Sequence, residues 1–169
     1  MKDEFLPLAG SCVASGHKRR LPGMRMGREG NNPKRRIAAS GTLDLSGREE
    51  LAARLKYVGS AHHKCFPANY GFNPPSSPRP WKSVCDGKRI VLKEEAENLL
   101  RVGVMKEMFS PLLGNGFPKY VWSVDNSGDA YEAKTDSGNP GQYHGYRLEE
   151  DDPMRAIVLN TWNKRCRQA

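Results

Sequence analysis

The sequence predicts an α+β fold, in which a small antiparallel sheet of three to four strands is covered by two or three helices. A disordered basic N-terminal tail is predicted to precede this domain. Three observations lead to this prediction. Residues 119–148 contain short segments with a period of two, separated by turn residues, which is typical of a strand meander. Helical spacing of apolar residues occurs on both sides of that region. The first 44 residues combine many cations with few large apolar side chains, which is typical of a chain that does not pack.

The chain is predicted to divide into two parts. Residues 1–44 form a basic flexible tail, and 45–169 form a single α+β domain with a proline-rich linker at 73–80. The tail holds nine Lys and Arg residues against four Asp and Glu, in a protein of net charge +8. This charge favours an anionic partner, so we expect RNA or another nucleic acid to bind the tail through its basic clusters. The clusters are Lys18, Arg19 and Arg20, and Lys34, Arg35 and Arg36.

Capping residues and apolar spacing predict three helices. Ser46 followed by Glu49 has the spacing of a capping box and predicts a first helix that reaches Val58. An apolar stripe over residues 93–108 predicts the second helix. After the strands, Asp152 as N-cap and proline at the next position predict the third helix.

The strands are predicted from alternation and turn chemistry. Two strands at 120–124 and 130–134 flank the turn sequence 125–128, and a second turn at 137–141 leads into the third strand. A period of two in the third strand places His144 and Tyr146 on one face. Tyr143 and Arg147 fall on the opposite face.

Three of the four histidines lie in two segments that could face each other, a loop at 62–63 and the third strand. RNA cleavage by attack of the 2′-hydroxyl needs a base, an acid for the leaving oxygen and cations for the phosphate. Histidine suits the first two roles because it titrates near neutrality, and lysine or arginine suits the third. The predicted catalytic residues are His144, His63, His62 and Tyr146, and the predicted phosphate-binding residues are Lys64, Arg147 and Lys134. This chemistry needs no metal and no other cofactor.

Two features of the sequence resemble known proteins. The segments PKYVWSVD, GDAYEAK and GQYHGYRL resemble small prokaryotic proteins, some of them toxins. The order of helices and then a small sheet bearing His, Tyr and Arg resembles the barnase–EndoU–colicin–RelE group of ribonuclease toxins, over about residues 47–163. The resemblance implies a toxin-like, metal-independent ribonuclease held in check by an antidote protein or a larger assembly. The predicted C-terminal helix departs from the group, in which a fourth strand is expected there.

Two other functions fit parts of the sequence. A non-catalytic nucleic-acid-binding or assembly protein would use the basic tail and aromatic residues of the sheet to stack on bases. Those aromatic residues are Tyr120, Trp122, Tyr131, Tyr143 and Tyr146. A zinc site would use His62, His63, Cys65 and Cys85, but the paired Cys and His spacing of zinc sites is absent, so we expect no metal. No apolar run is long enough to cross a bilayer, and we expect a cytoplasmic protein that does not bind membranes.

Overall fold

A four-stranded mixed sheet forms the centre of the protein, and helices pack on both of its faces. The computed structural model describes residues 32, 34–77, 84–135 and 137–167. The helices are α1 (Leu45–Arg54), α2 (Lys93–Met105) and α3 (Pro153–Cys166), with two short 3₁₀-helices at Ala61–His63 and Pro67–Tyr70. The strands are β1 (Lys56–Tyr57), β2 (Tyr120–Val124), β3 (Ala130–Thr135) and β4 (Gln142–Arg147). The predicted α+β class is confirmed, and the structure has three helices and four strands where two or three helices and three to four strands were expected.

The sequence predicted a purely antiparallel sheet, and the structure shows a mixed one. Its strand order is β1-β4-β3-β2, and β1 runs parallel to β4, whereas the other two pairs are antiparallel. The strand β1 lies inside the segment predicted as the end of the first helix. That helix ends at Arg54, because Leu55 is already extended with a ψ of 139° and the Lys56 amide donates to the carbonyl of Gly141, just before β4. A strand of two residues is too short to show a period of two, which is why the pattern did not reveal it.

Helix α1 also begins differently from the prediction. Asp44, and not Ser46, is its N-cap, since the Asp44 carboxylate accepts a hydrogen bond from the amide of Gly47. Helix α3 begins as predicted: the Asp152 side chain accepts from the Met154 amide, and Pro153 is the first helical residue.

The two faces of the sheet bury separate apolar cores. Helices α1 and α2 cover one face and α3 covers the other. Residues of the first core include Leu51, Leu100, Val104, Phe109, Val121, Tyr131 and Tyr143. Residues of the second core include Met108, Tyr120, Trp122, Ala130, Leu148, Met154 and Val158. Because successive strand residues alternate between the faces, both cores draw on the same three strands.

Gly103 allows helix α2 to lie directly on strand β2. A Cβ atom at this position would stand 2.4 Å from the backbone oxygen of Trp122, which is far inside van der Waals contact. A glycine weakens an isolated helix, but here only a residue without a side chain fits. The close approach brings the helix axis near the sheet and seals the first core.

The turn between β2 and β3 is held by one buried carboxylate. Asp125 accepts hydrogen bonds from the amides of Ser127 and Asp129 and from the guanidinium of Arg89, whose Nη2 lies 2.8 Å away. Gly128 takes a φ of +81°, a conformation that glycine adopts without steric cost. The predicted turn at 125–128 therefore forms, and it fixes the register of the two strands.

The folded part of the chain begins before the predicted boundary at residue 44. Ala38 is buried and its amide donates to Phe109, while the guanidinium of Arg165 on α3 donates to the Ala38 carbonyl. Arg35 forms ion pairs inside the domain, as described below. Residues 1–31 and 33 of the predicted tail and residues 78–80 of the predicted linker lie outside the described residues.

Candidate active site

Three predicted catalytic side chains meet on the sheet face that bears α3. The ring of His63 lies nearly parallel to those of His144 and Tyr146, at centroid distances of 5.4 and 5.1 Å and interplanar angles of 13° and 24°. Helix α3 packs on β2 and β3, whereas the 3₁₀-helix that carries His63 packs on β4. His63 is 6% exposed and His144 is half-buried, so solvent reaches the group from the side of His144.

Hydrogen bonds between two loops fix the position of His63. The 3₁₀-helix Ala61–His63 ends where the amide of Lys64 donates to Ala61. The amide of Cys85 then donates to the carbonyl of His63 at 3.0 Å. The Asp86 carboxylate accepts from the next two amides, those of Cys65 at 2.7 Å and Phe66 at 3.1 Å. The loop thus has backbone partners on both sides of His63, which holds the imidazole against β4.

A buried carboxylate positions Tyr146. Glu132 on β3 lies opposite Tyr146 on β4 and is 1% exposed. It accepts hydrogen bonds from the Tyr146 hydroxyl at 2.6 Å, from Trp122 Nε1 at 2.8 Å and from Arg35 Nε at 2.8 Å. Burial, and then the adjacent Glu132 charge, raise the pKa of Tyr146, so its hydroxyl stays protonated and acts as a donor. Tyr146 is therefore suited to donating a hydrogen bond and unsuited to acting as a base near neutral pH.

Arg35 links this carboxylate to helix α3. Its Nη2 lies 2.9 Å from the N-cap carboxylate of Asp152. Burial lowers the pKa of Arg35, but its bonds with Asp152 and Glu132 outweigh that effect and raise the pKa overall. Arg35 had been assigned to the nucleic-acid-binding tail, and its guanidinium is instead engaged within the domain. Its neighbours Lys34 and Arg36 are exposed, and Lys18, Arg19 and Arg20 lie outside the described residues.

Of the predicted phosphate-binding residues, only Lys134 lies beside the histidines. It pairs with His144 across β3 and β4, on the same face, and forms no ion pair with any described residue. Arg147 is on the opposite face and is 6% exposed, with its guanidinium bound to Asp129, Glu149 and Glu150. Lys64 is equally buried, and its ammonium contacts Tyr57 and Cys85. Neither Lys64 nor Arg147 is in a position to bind a phosphate at this surface.

His62, the fourth predicted catalytic residue, lies at the edge of this group. It precedes His63 in the 3₁₀-helix and is half-buried. Its Nδ1 atom is buried, and no described residue forms a hydrogen bond with it. Buried polar atoms in folded proteins usually have a hydrogen-bond partner. This ring nitrogen is therefore available to a bound ligand or water.

Four of the aromatic residues that were predicted to stack on bases lie inside the protein. The rings of Tyr120, Trp122, Tyr131 and Tyr143 are buried in the two cores and so cannot stack on bases. Within the described residues, no group of three or more His, Cys, Asp or Glu side chains is arranged to hold a metal ion. Among those same residues, no helix is long and apolar enough to cross a membrane.

Sequence patterns did not reveal that Arg35 and Glu132 belong to the site. Glu132 could have been found from its period of two, because that pattern puts it on the same strand face as Lys134. Arg35 gives no such signal, since its partners are 97 and 117 residues away along the chain.

No protein-family model matches this chain, and no curated protein or solved structure matches it either. The likeness to ribonuclease toxins therefore stays an expectation from the sequence.

Proposed function

We propose that the protein is a metal-independent ribonuclease that cleaves RNA by histidine acid–base chemistry at the surface formed by His63, His144 and Lys134. The observation that supports this best is the stacking of His63 against His144. These imidazoles come from a loop and a strand far apart in sequence, and they meet at a point that solvent reaches. Two groups able to exchange protons near neutrality, together with a cation, are the minimum that attack by a 2′-hydroxyl requires.

The two imidazoles are suited to different steps because their exposure differs. His144 is the more exposed and would contact the RNA, taking the proton from the 2′-hydroxyl. His63, stacked behind it and protonated at the start of the reaction, would donate a proton to the leaving 5′-oxygen, while His144 would hold the proton taken from the 2′-hydroxyl. Lys134, on the neighbouring strand, would stabilise the charge that develops on the phosphate, in the role that it was predicted to share with Lys64 and Arg147.

Tyr146 and Glu132 would complete the site without exchanging protons with RNA. The Tyr146 hydroxyl is directed at Glu132, and its ring supports one side of the His63 imidazole. Tyr146 is therefore assigned as a positioning residue, and loss of Glu132 would affect cleavage through the orientation of that ring. This revises the catalytic role expected for Tyr146 from the sequence.

Cleavage of total RNA by the purified full-length protein in EDTA tests the proposal. The wild-type protein should degrade RNA, and His144→Ala should lower the initial rate by about 100-fold or more. Gln142→Ala is a matched control, because this residue is exposed on the same strand and the same face. Intact RNA at a large excess of protein would refute the enzymatic function. Equal rates for wild type and His144→Ala would refute the site.

A ribonuclease of this kind would be toxic to the cell that makes it unless an antidote protein or larger assembly restrains it. We expect expression in a bacterial host to inhibit growth, and His144→Ala to relieve the inhibition while Gln142→Ala does not. Equal growth of cells expressing wild type and His144→Ala would contradict the toxin assignment.

A further inference from the structure

Lys64 is a buried lysine whose ammonium pairs with no carboxylate of the described residues. Its side chain is 6% exposed, and its Nζ donates to the Tyr57 hydroxyl at 2.9 Å and contacts Cys85 Sγ. The ring of Tyr70 lies over the same nitrogen, with its centroid 3.9 Å away. No described carboxylate forms an ion pair with Lys64. Buried lysines usually need an acidic partner, so the contact with a thiol calls for a chemical explanation.

The carboxylate of Asp86, next to Cys85 in the chain, helps to hold the lysine and the cysteine together. Both oxygens of Asp86 accept backbone amides, those of Cys65 and Phe66. With the bond from the Cys85 amide to the His63 carbonyl, these contacts join the loop after His63 to the segment that contains Cys85 and Asp86. The amine and the thiol are thus brought into contact by backbone hydrogen bonds that do not depend on either side chain.

The thiol of Cys85 is accessible only to small molecules. It is 4% exposed, but a cavity of about 30 Å³ adjoins it, lined also by Val91 and Tyr57. That volume admits a molecule close to the size of water, and it excludes a thiol such as glutathione. Among the described residues, the nucleophile nearest to Cys85 Sγ is the amine of Lys64, which contacts it directly.

We propose that Lys64 and Cys85 form a redox-sensitive covalent link, in which one oxygen atom bridges Nζ and Sγ. The oxidant is a peroxide. One thiol, one amine and two molecules of hydrogen peroxide give the N–O–S link and three molecules of water. The thiol loses its proton and the amine loses one hydrogen, while sulfur and nitrogen together give up four electrons, two to each peroxide. In the digested protein, where a thiol reductant can reach it, the reductant attacks sulfur and breaks the S–O bond. A second thiol then releases Cys85 from the mixed disulfide, and the oxygen stays on Lys64 as an N-hydroxyl group.

The link would restrict the motion of the loop that carries His63. Lys64 directly follows His63, and Cys85 already donates its amide to the His63 carbonyl. A covalent bond between the two loops restricts the unfolded chain in the way a disulfide does. The oxidised protein should therefore unfold at a temperature higher by about 5 °C than the reduced protein. This inference stands independently of the proposed ribonuclease function.

Mass spectrometry of the full-length wild-type protein tests the link without any variant. After treatment with hydrogen peroxide we expect a species that gains one oxygen and loses two hydrogens. Proteolysis should then give a linked peptide pair containing Lys64 and Cys85, which separates after addition of dithiothreitol. Cys166→Ser should behave like wild type, because Cys166 is exposed on α3, whereas Lys64→Arg should give no linked pair while keeping the positive charge.

Three results would overturn the inference. One is Cys85 carrying added oxygen while Lys64 remains an unmodified amine. The second is a disulfide from Cys85 to another cysteine. The third is an unchanged mass at Cys85 under conditions that oxidise the exposed Cys166.

Discussion

Replacement of Glu132 by glutamine tests the buried network beneath the histidines. The carboxylate is 1% exposed and accepts three hydrogen bonds, of which the one from Arg35 is also an ion pair. In Glu132→Gln an amide group replaces one acceptor oxygen with a donor, so either Tyr146 or Arg35 faces another donor. The charge that balances Arg35 is also lost, although Asp152 keeps part of that role.

The expected loss of unfolding free energy follows from these contacts. A net hydrogen bond to a charged group contributes about 1.5–3 kcal/mol, and breaking a buried ion pair costs about 3–5 kcal/mol. Because Asp152 still pairs with Arg35, we expect Glu132→Gln to lower the free energy of unfolding by about 3 kcal/mol, near the low end of the second range. For a chain of this length, that corresponds to a melting temperature lower by about 6–12 °C.

Urea denaturation followed by tryptophan fluorescence measures the change directly, since Trp122 donates to the same carboxylate. Glu97→Gln is the matched control: Glu97 is exposed and pairs with Lys93 at 3.9 Å within one helix, so the expected change is below about 0.5 kcal/mol. If Glu132→Gln were as stable as wild type, or as little affected as Glu97→Gln, Glu132 could not be the buried acceptor of these three bonds.

Two further predictions concern the packing that supports the site. Gly103→Ala should lower the free energy of unfolding by about 2 kcal/mol, because the alanine Cβ would stand 2.4 Å from the Trp122 oxygen, although alanine favours helices. Gly114→Ala is the control, since a Cβ there would have nothing within 4 Å. Equal stability of the two variants would refute the close approach of α2 to β2. Burial alone would raise the pKa of Asp125, but hydrogen bonds from Arg89 and neighbouring groups hold the pKa below its usual value. The stability that this carboxylate contributes is therefore present above the unfolded-state pKa of about 4 and is lost as the pH falls through the lower folded-state pKa. Asp125→Asn should be less stable than wild type at pH 7, with a difference that shrinks below about pH 4, and a difference constant with pH would contradict the assignment.

Local sequence signals predicted the elements that local contacts define. Asp152 and Pro153 mark the start of α3 because a cap is formed by residues adjacent in the chain. The strand β1 was missed for the opposite reason: it is extended because of bonds to a distant segment. Gly141, just before β4, accepts from the Lys56 amide, and Tyr143 on β4 accepts from the Val58 amide. A pairing partner so far along the chain leaves no trace in the local pattern.

The candidate site was predictable to a similar extent. The loop at His63 and the strand at His144 were expected to face each other, and their rings are stacked in the structure. The period of two in β4 already put Arg147 on the face away from His144, so the sequence contained the reason to exclude it as a phosphate-binding residue. The burial of Lys64 was not predictable, because it depends on contacts with Tyr57 and Cys85 that only the folded chain creates.

The cooperation of the two imidazoles is tested most directly by a double-mutant cycle on RNA cleavage in EDTA. Initial rates are measured for wild type, His63→Gln, His144→Gln and the double variant, with near-ultraviolet circular dichroism to establish that each is folded. We predict that each single substitution lowers the rate by about 100-fold or more and that the double variant is no slower than the slower single variant, because residues acting as a unit are not additive. Losses that multiply in the double variant, or a single variant as active as wild type, would contradict a shared site.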